Sequence, residues 1–84
     1  MRNNLGFAYW NKGEYYRAIE EYKKAIELKP DYTDALYNLA LAYKTQKKFR
    51  EAEKLLRKII TLKPTSIAAR RELENLTATI ISEE

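Results

Sequence analysis

The chain has 84 residues and a formal charge of +4, with 45% hydrophobic and 33% charged residues. It is one small domain, too apolar for a disordered chain and too charged for a membrane span. With no cysteine and no histidine, it lacks the means for disulfides, thiolate zinc sites and imidazole acid–base chemistry.

Two glycines and two prolines are too few to reverse the strands of a β-rich protein, so the expected elements are helices. Apolar spacing predicts five, over 2–12, 15–28, 33–45, 49–62 and 66–80. The amino terminus shows no apolar run behind a basic head, so it does not read as a secretion signal, and cytoplasmic residence is the default expectation. The first helix carries an inward stripe of Leu5, Ala8 and Tyr9. Gly13 follows, able to take the left-handed conformation that turns the chain back. Ala18, Tyr22, Ala25 and Ile26 form the stripe of the second helix, and its salt-bridge pattern couples Arg17 with Glu21 and Glu20 with Lys24. Pro30 ends that hairpin. Leu39, Ala42 and Tyr43 mark the third helix. Lys47 then stands in the place of Gly13, where left-handed geometry costs on the order of 1 kcal/mol. The fourth helix buries Ala52, Leu56, Ile59 and Ile60, and ends before Pro64. A fifth helix is expected to cover the fourth with Ala69, Leu73, Leu76 and Ile80, leaving Arg70, Arg71, Glu72 and Glu74 wet.

These elements repeat. Shifted by 34 residues, the chain matches itself at ten of thirty-two pairs, among them Asn4 with Asn38, Leu5 with Leu39, Tyr9 with Tyr43 and Pro30 with Pro64. Chance would supply roughly two. Such a period indicates stacked helical hairpins, none able to bury its apolar face without a neighbour. The run Leu5, Gly6, Tyr9, Ala18, Tyr22, Ala25, Pro30 resembles the tetratricopeptide repeat, with Arg2 where that pattern has tryptophan. Leu39, Ala40, Tyr43, Ala52, Leu56 and Pro64 follow it less strictly in the second unit. The resemblance implies an all-α fold, an α-α superhelix of stacked hairpins, right-handed, with two units and a carboxy-terminal capping helix. The expected division is a single domain, 1–84: a first repeat over 1–32 that starts inside its first helix, a second over 33–66, and a degenerate cap over 67–84.

On a helical wheel with the Leu5 stripe turned inward, Asn3, Phe7 and Trp10 point the other way, in register with Tyr37, Leu41 and Lys44 of the third helix. An apolar cluster of Phe7, Trp10, Tyr37 and Leu41 on one outer face marks an interaction site. In tetratricopeptide domains that face is a concave groove for an extended peptide or a partner helix. The resemblance thus implies a non-catalytic binding module for a protein or peptide partner. Asn4, Asn11, Asn38 and Thr45 would flank the apolar floor and Arg71 and Asn75 close one end. The alternative is self-association, with copies pairing through those surfaces or through the bare edge of the first helix. Chaperone-binding members clamp an anionic peptide end with two lysines, two asparagines and an arginine. The corresponding places here are Asn3, Phe7, Asn38, Ala68 and Glu72, so the carboxylate clamp is absent.

Ten of the basic residues lie between Lys44 and Arg71. Arg50, Lys54, Arg57 and Lys58 make one stripe on the fourth helix, preceded by Lys47 and Lys48. An acidic partner or a nucleic acid is the functional reading of that stripe. A solvated convex face is the stronger one, since no aromatic interleaves the charges and no nucleic-acid motif appears. No phosphate loop, calcium loop or inward carboxylate pair is present, so no enzyme, cofactor or metal site is expected, and no membrane association.

Overall fold

The computed structural model describes residues 2–83; Met1, the expected start of the first repeat, and Glu84, the expected end of the cap, lie outside the described residues. Five helices follow one another: α1 (Arg2–Asn11), α2 (Tyr15–Leu28), α3 (Thr33–Thr45), α4 (Phe49–Leu62) and α5 (Ile67–Glu83). The expected bounds hold to within a residue except at the end of α5, which runs on to Glu83.

Both hairpin turns close in the same way. The Glu14 amide donates to the Tyr9 carbonyl at 2.9 Å, and one period later the Lys48 amide donates to Tyr43 at 2.8 Å. Each turn needs one left-handed residue, Gly13 at φ 83° and Lys47 at φ 62°. The second turn therefore carries the strain that the sequence suggested. The link between units also repeats: the Tyr32 amide bonds Lys29 O, and the Ser66 amide bonds Lys63 O, both at 3.0 Å. Ser66 Oγ then accepts the Ala69 amide at 3.3 Å and caps the start of α5.

Two buried clusters form the core. Ala18, Ile19 and Tyr22 of α2 enclose Leu39 and Ala42 of α3. On the other side of α3, Leu36 and Ala40 meet Ala52, Leu56 and Ile59 of α4, and α5 adds Ala69 and Leu76. Ile26, Tyr43 and Leu55 pack against both clusters. Within the first hairpin, Gly6 lets α1 and α2 approach so closely that a Cβ there would stand 2.7 Å from Tyr22 Cε1. The second hairpin has Ala40 and Leu56 at the same two places, a larger residue against a smaller one.

Four expectations change. Leu5 and Ala8 are exposed, not inward, because the α2 surface that covers their counterparts Leu39 and Ala42 has no equivalent against α1 among the described residues. Glu72 is not wet: its carboxylate meets Lys44 Nζ at 2.8 Å and its side chain keeps 21% exposure. Arg17 lies 3.9 Å from Glu14 rather than against Glu21. Glu21 is buried and turns to Arg2 at 2.9 Å, drawing Lys24 to 3.8 Å in place of Glu20.

Candidate functional site

Two side-chain bridges tie the first helices of successive units along one face. Asn38 Nδ2 on α3 donates to Asn3 Oδ1 on α1 at 2.9 Å, and Lys44 on α3 reaches Glu72 on α5. Asn3 is buried by this contact, so its carbonyl oxygen is already used. Between the bridges Phe7 remains 53% exposed. It shares a cavity of about 400 Å³ with Trp10, Asn38, Leu41, Lys44 and Thr45. Trp10 is held by the ring of Tyr15, whose centroid lies 4.4 Å away at a tilt of 56°. Thr45 donates its hydroxyl proton to Leu41 O at 3.0 Å, one turn back in its own helix.

A second cavity of about 410 Å³ adjoins, with Asn38 lining both. Asn3, Tyr37, Asp34, Ser66 and Ala68 line it as well. Tyr37 is thus separated from Phe7 and Leu41 instead of standing beside them. It lies one helical turn earlier, lining the cavity with Asn3, and is partly buried against the α3–α4–α5 core. Burial pushes its phenol pKa above the ordinary 10.0; Glu72 adds to that rise and Lys44 opposes it. Asn4, Asn11, Arg71 and Asn75 are exposed and line neither cavity.

The sequence placed Glu72 only at a clamp position, and its bridge to Lys44 was not foreseen, although the 34-residue period aligns it with Asn38. Asp34 and Ser66 were missed as cavity-lining residues, because a helical wheel gives a direction and not a position along the axis. The basic stripe stays on the surface: Arg50, Lys54, Arg57 and Lys58 are exposed, and Arg57 is engaged by Glu53 at 3.3 Å. Among the described residues no three or more carboxylates gather where they could hold a metal ion, and no helix is long and apolar enough to cross a membrane.

Consecutive hairpins joined by identical turns, with the first helix of each unit on a common face, define a helical-repeat protein. Residues 6–47 match the family model described as TPR repeat, and residues 33–66 match the tetratricopeptide repeat. The chain belongs to the tetratricopeptide repeat family, a non-catalytic protein-interaction fold. It is 35% identical over 79 residues to uncharacterized protein ycf37 of Pyropia yezoensis, covering 94% of this chain and 44% of that protein. It is 48% identical over 42 residues to an uncharacterized protein of Methanocaldococcus jannaschii, 50% of this chain and 49% of that one. The chain therefore spans less than half the length of these relatives. Among solved structures, the first TPR of Spaghetti (RPAP3), bound to the HSP90 peptide SRMEEVD, superposes with a TM-score of 0.89 at 24% identity, covering 95% of this chain and 64% of that one. That likeness is one of fold.

Proposed function

We propose that the face built by α1, α3 and α5 is a groove that takes a peptide or a partner helix, making the domain an adaptor or scaffold module of the cytoplasm. Two repeats and a capping α5 supply the groove. The observation that carries this reading is Phe7, 53% exposed, sharing one cavity with Trp10 and Leu41. The polar groups around it already bond one another, Asn38 with Asn3 and Lys44 with Glu72. Affinity then comes from apolar side chains of the ligand, and so small a site gives a modest one. The groove's tetratricopeptide neighbour holds an acidic peptide. Here Glu72 and Ala68 stand where a clamp would have an arginine and a lysine, so a ligand with aliphatic or aromatic residues fits better than an anionic tail.

The test begins by selecting a binder from a displayed peptide library and titrating it while following Trp10 fluorescence. Phe7→Ala combined with Leu41→Ala should weaken the selected peptide about tenfold or more, the loss expected of central apolar anchors, with the helical circular dichroism unchanged. The peptide SRMEEVD should not bind. Unaltered affinity in the double variant, or tight binding of SRMEEVD, refutes the groove as described.

A further inference from the structure

Among the described residues that line the Phe7 cavity, Lys44 alone carries a charge. Its ammonium rides on a flexible four-carbon stem, so it can reach into that cavity or away from it. The structure shows it drawn away. Lys44 Nζ lies 2.8 Å from Oε1 of Glu72 on α5, a residue that does not line the cavity. The pair is partly covered, with 39% of the Lys44 side chain and 21% of the Glu72 side chain exposed. Both charges are felt at Tyr37, whose phenol pKa Glu72 raises and Lys44 lowers, so the bridge stands over the groove face of α3.

A ligand carboxylate competes with Glu72 for one ammonium. To bond Lys44 it must either displace Glu72, leaving a mostly covered carboxylate without its counter-ion, or share Lys44 and bring two like charges together. An uncharged ligand group meets neither penalty. The adjoining cavity adds one charge of each sign, Asp34 and Lys63, and so gives no net pull on an anion. Arg71, next to Glu72 in sequence, lines neither cavity.

We propose that Glu72 sets the charge selectivity of the groove: by occupying Lys44 it turns away ligands with an acidic residue beside the apolar anchor and selects those that are uncharged there. The inference rests on the groove reading of α1, α3 and α5 and names the class of ligand that groove takes. The displayed peptide library is to be selected on three full chains: the wild type, Glu72→Gln, and Glu72→Gln with Lys44→Met. Peptides held by the wild type should be poor in aspartate and glutamate next to their apolar anchors. Those held by Glu72→Gln should be rich in them, and Lys44→Met should abolish that enrichment. One glutamate placed beside the anchor of a wild-type peptide should weaken it about tenfold on the wild type and tighten it on Glu72→Gln. Circular-dichroism melts check that each chain is folded, and Glu72→Ala serves if the glutamine amide still holds Lys44. Equal acidic content in all three selections overturns the role of Glu72, and so does an acidic preference that survives Lys44→Met; in both cases peptides that still need Phe7 and Leu41 leave the groove standing. Peptides indifferent to Phe7→Ala with Leu41→Ala overturn the groove and this inference with it.

Discussion

Replacing Gly6 by alanine tests how the first hairpin closes. The new Cβ would lie 2.7 and 2.8 Å from Tyr22 Cε1 and Cδ1 and 3.1 Å from Ala18 O, whereas carbon atoms rest at about 3.5–4.0 Å. Tyr22 is 2% exposed, packs against Leu39 and Ala42 and borders the cavity beneath Phe7, so its ring yields by pressing on those two residues or into that cavity. Overpacking of this kind costs about 1–3 kcal/mol, and the better helix propensity of alanine returns about 1 kcal/mol. The net loss of about 1 kcal/mol lowers the melting temperature by about 4–8 °C. In a Tyr22→Leu background, which reproduces the Ala40 and Leu56 arrangement of the second hairpin, the obstruction is gone. There the same substitution should become neutral or stabilise by up to about 1 kcal/mol. Circular-dichroism melts and urea titrations of the four proteins in this cycle give the coupling, expected at about 1–3 kcal/mol. An equal cost of Gly6→Ala in both backgrounds refutes the steric argument.

The turn at Lys47 supplies another test. Left-handed backbone costs a non-glycine residue about 1–2 kcal/mol, and glycine gives back about 0.4–1 kcal/mol through a looser unfolded chain. Lys47→Gly should thus raise stability by about 0.5–1 kcal/mol in urea. Gly13→Ala, which meets no atom within 4 Å, should lower it by a similar amount through backbone strain alone; a destabilised Lys47→Gly contradicts the account. Alkali provides a third. Burial raises the phenol pKa of both Tyr22 and Tyr37 above 10.0. Below pH 10 both states keep their protons and stability is flat. Above it the unfolded chain releases them first, so stability falls as pH climbs through the raised native values. Tyr22→Phe should flatten that fall, and an unchanged slope removes burial of Tyr22 as its cause.

The architecture was legible because it rests on local chemistry repeated at a fixed interval. Gly13 and Lys47 occupy equivalent turns, Pro30 and Pro64 equivalent ends, and the apolar stripes between them have helical spacing. The candidate cavity was legible where a single helix decides direction: Phe7, Trp10, Leu41 and Lys44 point outward on any wheel, and they line one cavity. What escaped depends on two helices at once. Whether Tyr37 lines a cavity with Phe7 or with Asn3 follows from the offset between α1 and α3, which no wheel contains. The partners of Lys44, Arg2 and Arg17 were likewise hidden, because long flexible side chains choose among several carboxylates within reach. Leu5 read as inward for a related reason: its spacing is that of a covered residue, and no described helix lies over it.

Ile26, Tyr43 and Leu55 are common to both halves of the interior. In a linear stack, coupling between neighbours sets how sharply the whole denatures. Among the described residues, two hairpins and α5 share a seam of three large side chains, so neither half can peel away without stripping the other of its lining. Loosening at either end is therefore felt throughout, and amides deep in α2 and α4 reach water chiefly when the entire domain comes apart.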